Sequence, residues 1–171
     1  EPILVLAEED ESFYCGVSKT KSKRYIVIAS ESTVSSEARY LQADQPEGDF
    51  TILQPRQRDL EYSISHYEDH FYILTNHQAK NFRLVRCPTT QTTLDHWEEI
   101  IPNRAEILLE DVDIFEQFIV LSERINGIVN LRVKYWDGSN DYHIDFAEDA
   151  YLAYLATNPE FDTHNIRIGF S

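Results

Sequence analysis

The sequence predicts an all-β fold, a partial β-propeller with about three complete four-stranded antiparallel blades and parts of two more. Short hydrophobic runs begin at Tyr25, Phe71 and Phe118, so they recur about every 47 residues, and a fourth run at 166–170 keeps the spacing. A repeat of about 40 to 50 residues that contains several strands is typical of propeller blades. The period therefore predicts blades stacked in chain order.

Two further markers keep the same period. An arginine-bearing strand follows each hydrophobic run, with the arginines at Arg39, Arg83 and Arg132. A strand that alternates aromatic or polar residues then closes each unit, and these strands start at positions 50, 97 and 142. The alternation has the period of two that a half-buried strand requires. Three independent markers with one period favour a true repeat.

The predicted elements follow from these markers. The complete blades span 13–55, 60–102 and 107–148, a partial blade spans 150–171, and a lone strand at 3–6 is left over from a preceding blade. In the first blade we predict strands at 13–17, 25–29, 37–42 and 50–54, with a Pro/Gly turn at 44–48. By convention the first strand of each blade lines a central channel, which predicts channel strands at 13–17, 62–65, 108–114 and 151–155.

The second and third blades carry their own local signals. Residues 88–93 form the longest loop of the second blade, and residues 94–100 combine a possible helical turn with an edge strand. In the third blade Asn126-Gly127 and Asp137-Gly138 are hairpin turn signals. Asn-Gly readily adopts the two left-handed conformations of a tight hairpin, so the strands on either side of Asn126 are expected to be antiparallel neighbours.

Composition limits the classes of function. The formal net charge is −15 at pH 7, which argues against nucleic acid because that affinity rests on Lys and Arg. Attraction of a cationic peptide and simple solubility both remain open. No run is apolar enough to span a membrane. Cys15 and Cys87 are expected to be buried reduced thiols, which favours a cytoplasmic protein. Because the chain begins at Glu1 and contains no Met, we expect an excised or processed segment.

No residue is assigned a catalytic, cofactor-binding or metal-binding role. The five glycines never form Gly-x-Ser-x-Gly, so a serine nucleophile is not visible. His66, His70 and His77 are the densest group of possible metal ligands. The corresponding segments of the other blades are basic at 19–23 and nearly neutral at 115–117, which favours a solvated turn.

Three acidic groups, at 8–11, 110–113 and 145–149, lack the ligand pattern of a calcium loop. They predict either a solvated acidic rim or a rim that attracts cationic peptides or pairs with arginines of another domain. We hypothesise that Glu110, Asp111 and Asp113 favour the entry of cationic peptides. The sequence predicts no cofactor.

Five segments spread along nearly the whole chain resemble the prolyl oligopeptidase family, and within it the oligopeptidase B (protease II) group. They lie in the expected order at 17–26, 76–84, 96–102, 136–138 and 158–163. The resemblance implies a seven-bladed propeller stacked on a C-terminal α/β-hydrolase domain that carries the Ser, Asp and His of a serine peptidase. It also implies cleavage of short peptides after Lys or Arg, with the propeller as a lid and size filter.

Two other classes of function stay open. The chain could be a stand-alone propeller scaffold that binds proteins through its blade loops, or a hydrolase or metal protein in its own right, which the missing motifs disfavour. A downstream Gly-x-Ser-x-Gly motif in the coding region would favour the peptidase. An open arc of blades leaves unpaired edges and apolar faces, so we predict that the excised segment self-associates.

Overall fold

Three four-stranded antiparallel sheets and one two-stranded sheet follow one another along the chain in the computed structural model, which describes residues 3–147 and 151–171. The first blade contains β1 (Tyr14–Lys19), β2 (Tyr25–Glu31), β3 (Ser36–Gln42) and β4 (Thr51–Ile52). The second contains β5 (Tyr62–Tyr67), β6 (His70–Thr75), β7 (Arg83–Pro88) and β8 (Glu98–Ile101). The third contains β9 (Ile107–Ile114), β10 (Phe118–Ile125), β11 (Ile128–Tyr135) and β12 (Asp141–His143). The fourth, partial blade contains β13 (Ala153–Leu155) and β14 (Ile168–Phe170).

Within each sheet the order of the strands in space is their order in the chain. Every pairing is antiparallel, so each blade is a meander built from successive hairpins. The tightest turn of the third blade is Asn126-Gly127, where Ile125 pairs with Ile128. Both turn residues have positive φ, 50° for Asn126 and 86° for Gly127. The hairpin predicted from Asn-Gly is confirmed.

The interior strands of the second and third blades bury both faces, because each of these blades has a neighbouring blade on either side. In β10, Ile119 and Leu121 pack toward the second blade, whereas Phe118 and Val120 pack toward the fourth. In β6, Phe71 faces the first blade in the same way. Alternate residues of one strand therefore enter two different cores, and the strand reads as a continuous apolar run.

These contacts form three hydrophobic cores, one between each pair of successive blades. The core between the first and second blades includes Tyr25, Val27, Tyr62 and Phe71. The core between the third and fourth includes Leu131 and residues of the partial blade. Face-to-face stacking of successive sheets, with a core in each gap, is the architecture of a propeller. The predicted all-β partial propeller is confirmed.

The repeated arginines of the third strands all form ion pairs. Arg39 of β3 contacts Glu37 at 2.5 Å, Arg83 of β7 contacts Glu99 of β8 at 3.1 Å, and Arg132 of β11 contacts Asp141 of β12 at 2.6 Å. In the second and third blades the pair crosses to the short outermost strand. The arginine marker thus reflects an attachment of the outer strand to the rest of the sheet.

Several predicted elements differ from the structure. No strand forms at 3–6, because residues 3–10 have no regular secondary structure and no described strand hydrogen bonds to them. The strand predicted at 50–54 is reduced to β4. Residues 94–96 form a 3₁₀ turn that is followed by β8, so both features predicted there are present. Glu148 and Ala150, where the third blade was predicted to end and the fourth to begin, lie outside the described residues.

Across the described ranges, none of the helical structure is long and apolar enough to cross a membrane.

Candidate functional site

The inner ends of the first three blades meet at a single polar cluster. Lys21 lies in the turn between β1 and β2, and its Nζ donates a hydrogen bond to Asp113 of β9, 92 residues away in the sequence. This contact passes over the second blade, which stacks between the other two. Only the strands nearest the axis of an arc are close enough to join blades that are not neighbours. This contact and that of Ser22 with His66 of β5 indicate that β1, β5 and β9 lie on the inner side of the arc.

Lys21 is held from two directions. Its Nζ lies 3.7 Å from the centre of the Phe115 ring, a cation–π contact, and it also pairs with Asp113. The Lys21 side chain is 16% exposed and that of Asp113 is 25% exposed. Burial lowers the pKa of Lys21 and raises that of Asp113, and the attraction between the two charges offsets this only in part.

His66 belongs to the same cluster, on the neighbouring side of the turn. It lies in β5, it is 3% exposed, and its Nδ1 is 2.7 Å from Ser22 Oγ. Its ring also packs edge-on against Tyr25 and Phe71. Burial, with a smaller effect of the charge on Arg24, lowers the pKa of His66 to about 4. The imidazole is therefore neutral at pH 7.

The prediction that 66–70 is a solvated turn is wrong for His66. The hairpin between β5 and β6 is tighter than predicted, since only residues 68 and 69 connect the strands. His66 consequently falls within β5, on the face that packs against the first blade. His77 lies apart, beside Trp97. Within the part of the chain that the structure describes, no three potential metal ligands of the His, Cys, Asp and Glu type come together.

The hydrogen bond between Ser22 and His66 differs from a nucleophile–base pair. In a serine hydrolase a carboxylate binds the second imidazole nitrogen and orients the base. The Nε2 of His66 is buried and has no hydrogen-bond partner among the described residues. A pKa of about 4 also makes the imidazole a weak base. The pair is best understood as a tie between the first and second blades.

A cavity of ≈ 160 Å³ opens between the three blades at this cluster. It is bordered by hydroxyl groups, the Lys21 ammonium group and the Asp113 carboxylate; its residues include Ser18, Thr20, Lys21, Ser65, His66 and Asp113. A space of this size can admit water. The contacts of the cluster connect the first blade to the second and to the third.

The predicted acidic rim is partly neutralised in the structure. Glu110 accepts a hydrogen bond from Arg124 at 2.6 Å, Asp113 pairs with Lys21, and Glu8 pairs with Arg56 at 2.6 Å. The expectation of solvated carboxylates is wrong for Asp113 and Glu8, because a lysine and an arginine from other segments reach them and they are partly buried. Glu110 is paired but remains exposed, as expected. Of the acidic group predicted at 145–149, Glu148 and Asp149 lie outside the described residues.

Sequence reasoning missed the buried carboxylate of Glu123. This residue of β10 is fully buried and contacts Arg104 at 2.5 Å and His143 at 3.1 Å, with Arg132 at 3.5 Å. Burial would raise the pKa of Glu123, but the hydrogen bonds from Arg104 and His143 lower it overall. A charged residue within the apolar run of β10 was the signal that could have revealed it.

The two cysteines have different surroundings. Cys87 is buried, as predicted, and burial raises the pKa of its thiol to about 12. Cys15 is exposed, so the prediction is wrong for that residue. It lies in β1, whose residues are all exposed because no described sheet stacks on the outer face of the first blade.

The whole of this arrangement matches one known domain. The family model described as the prolyl oligopeptidase N-terminal β-propeller domain matches residues 1–171. The chain belongs to the prolyl oligopeptidase family. It is the N-terminal propeller portion of such a protein, as the sequence resemblance implied.

The relatives that this chain matches include named peptidases. The chain is 41% identical over 169 residues to dipeptidyl aminopeptidase BI of Pseudoxanthomonas mexicana, covering 98% of the chain and 23% of the relative. It is 28% identical over 167 residues to protease 2 of Moraxella lacunata, covering 98% of the chain and 24% of the relative. The chain thus spans about a quarter of the length of these relatives.

Solved structures show the same fold. Oligopeptidase B from Trypanosoma brucei, a closed form with covalently bound antipain, superposes with a TM-score of 0.90 at 22% identity, covering 99% of the chain and 25% of that structure. Oligopeptidase B from Leishmania major gives a TM-score of 0.89 at 19% identity, with the same coverage. At this level of identity the likeness concerns the arrangement of the blades.

Proposed function

We propose that the chain is part of a lid over the active site of a cytoplasmic serine peptidase. The catalytic residues would lie in a C-terminal α/β-hydrolase domain, and the full enzyme would cleave short peptides after Lys or Arg. The observation that carries this proposal is the match of the family's propeller domain to residues 1–171. The relative at 28% identity, named protease 2, supports the choice of that group.

The stacked blades suit the role of a size filter. Each gap between successive blades is filled by a hydrophobic core, so the blades resist separation, and the polar cluster at Lys21 lies at their inner ends. A rigid wall around a narrow channel admits flexible short peptides and excludes folded proteins. Substrate entry through a gate of this kind also protects the reaction from competing substrates.

The charge of the propeller supports a preference for cationic peptides. The formal net charge is −15, and Glu116 and Asp162 are exposed at the hairpin ends of the third and fourth blades. Repulsion by Asp162 raises the pKa of Glu116, which is the behaviour of two neighbouring carboxylates. A negative surface concentrates cationic substrates near the entrance and increases their rate of capture at low salt.

A second reaction, release of dipeptides from free N-termini, is favoured by one observation. The relative at 41% identity is named a dipeptidyl aminopeptidase. The propeller of such an enzyme would have the same lid function. The two proposals differ in whether a free α-amino group is required.

A pair of substrates distinguishes these reactions. The full-length protein is assayed with Arg-Arg linked to a fluorophore, once with a blocked N-terminus and once with a free one. We expect cleavage of the blocked substrate, because cleavage after Arg in short peptides does not depend on the α-amino group. Cleavage of the free form alone would replace this proposal with dipeptide release. Failure to cleave either, together with no labelling by a fluorophosphonate, would contradict a serine peptidase.

The lid function has a separate test. A short Arg-containing peptide is compared with the same cleavage sequence placed within a long unfolded chain. We expect kcat/KM to fall by about two orders of magnitude or more for the long chain, since it cannot pass a narrow channel. Equal values for both substrates would contradict a size filter and leave the peptidase activity in place.

A further inference from the structure

We propose that Lys21 and Asp113 form a clasp that joins the first blade directly to the third and thereby sets the width of the inner channel beside the second blade. The clasp follows from the contacts of Lys21 in this chain. Its effect on peptide entry rests on the proposed lid function.

The turn that carries Lys21 is built to reach across a blade. Its residues, 20–24, separate β1 from β2, whereas the corresponding turns contain residues 68–69 in the second blade and 115–117 in the third. Thr20 N donates to Tyr25 O at 2.9 Å and Lys23 N donates to Thr20 O at 2.8 Å, which holds the turn in shape. Lys23 has a φ of 61°, as a compact turn of this kind requires.

Two adjacent residues of this turn bind two different blades. Ser22 is tied to His66 of the second blade at 2.7 Å, and Lys21 is tied to Asp113 and to the Phe115 ring of the third. Neighbouring blades are already joined by their hydrophobic cores. The contact of Lys21 is different in kind because it restrains two blades that share no core of their own.

The Lys21–Asp113 pair restrains the relative position of two blades more than it increases the free energy of unfolding. Burial opposes the charged form of both Lys21 and Asp113, as the directions of their pKa changes show. A buried ion pair of this kind contributes little net free energy of folding, yet removing one partner leaves a buried charge and is strongly unfavourable. The pair therefore penalises any movement of the first blade away from the third while adding little to the stability of either blade.

The Lys21–Asp113 pair forms part of a cavity wall, which connects the pair with the width of the channel. The cavity of ≈ 160 Å³ includes Lys21 and Asp113 in its wall. Movement of the inner ends of the first and third blades away from each other would separate the pair and enlarge this cavity. We therefore expect the channel to widen when the clasp opens.

A double-mutant cycle in the full-length protein tests the clasp. Lys21→Met keeps an unbranched side chain but removes the ammonium group that contacts Asp113 and the Phe115 ring, and Asp113→Asn keeps the shape of the carboxylate. Hydrogen exchange of the amides at 20–25 and 111–114 reports opening. We expect each single variant to exchange about tenfold faster there and the double variant to be less affected than the sum of the two. The exchanged pair Lys21→Asp with Asp113→Lys is expected to recover slow exchange in part.

Arg124→Met is the matched control, since it breaks the more exposed pair between Arg124 and Glu110 within the same blade. It should leave the exchange at 20–25 unchanged. Unaltered exchange in both single variants, or additive effects in the double variant, would overturn the clasp. This readout needs no peptidase activity, so it separates failure of the clasp from failure of the proposed function.

The proposed effect of the clasp on channel width is measured separately, by peptidase activity. If the full-length protein cleaves short peptides, Lys21→Met is expected to keep kcat/KM for a short peptide and to raise it several-fold for a long unfolded chain with the same cleavage sequence. Faster exchange at 20–25 with an unchanged preference for the short peptide would overturn the link between the clasp and the channel width.

Discussion

At the scale of single residues, burial decides the chemistry of the polar groups. His66 is kept neutral because its ring is enclosed by Tyr25, Phe71 and the turn at Ser22. Glu123 is kept charged at a similar degree of burial because Arg104 and Arg132 reach it. The difference is the presence of cationic partners, which compensate the loss of hydration in one case only.

His66 should therefore titrate at about pH 4. The unfolded chain binds a proton near the ordinary pKa of 6.5, whereas the folded chain resists it until about pH 4. The free energy of opening of β5 is thus fully present above pH 6.5 and decreases as the pH falls toward 4, by at most about 3 kcal/mol. Exchange of the histidine C2 proton, followed by mass spectrometry against pH, measures the midpoint. A midpoint near 6.5 would contradict the enclosed site.

His66→Gln is the matched variant for this effect. Glutamine retains a hydrogen-bonding group toward Ser22 but cannot take a proton. Exchange of the β5 amides should then lose its additional dependence on pH between 4 and 6.5, while the amides of β11 behave as in the parent. If the variant keeps the full pH dependence of exchange, a titratable group other than His66 causes that dependence.

At the scale of secondary-structure elements, some form where the local sequence predicts them and others need a neighbouring strand. The hairpin at Asn126-Gly127 forms where the dipeptide predicts it, because the required positive φ values are a property of these two residues. The segment 3–6 has an equally apolar strand-like sequence but remains irregular. A strand needs a hydrogen-bonding partner along its edge, and no described strand supplies one there.

The hairpin can be tested with a pair of glycine substitutions. Gly127→Ala should destabilise the β10–β11 hairpin by about 1 kcal/mol, because Gly127 has a φ of 86° that alanine adopts at a cost. Gly16→Ala is the control: Gly16 lies in β1, and a Cβ atom there would meet nothing within 4 Å. Hydrogen exchange of the amides flanking each site measures local opening. Equal effects of the two substitutions would show that the φ of Gly127 is not decisive.

At the scale of the whole molecule, the described blades form an open stack with two uncovered ends. At the first blade Val17 is 73% exposed, and at the fourth Leu152 and Tyr154 are 57% and 54% exposed. The interior faces of the same two sheets are buried in the first and the third core, respectively. The strands at the ends therefore present to solvent the kind of surface that elsewhere in the chain is covered by a blade.

We predict that residues 1–171, produced by themselves, associate through these end faces. Size-exclusion chromatography with light scattering should show a mass that rises with protein concentration. The double variant Val17→Thr, Tyr154→Thr keeps good strand formers on both strands and should shift the equilibrium toward the monomer. A monomer at every concentration, with or without these substitutions, would contradict the prediction.

Sequence alone determined the repeat, most strands of the complete blades and the resemblance to the family, because these depend on local patterns and on their spacing along the chain. A continuous apolar run such as the first half of β10 specifies a strand with two buried faces, whatever lies opposite. The tertiary structure alone decided that Lys21 meets Asp113, that His66 is enclosed and that Glu123 gains cationic partners. Such contacts join segments that are distant in the chain, and they exist only because the stacking of the blades brings the inner strands together.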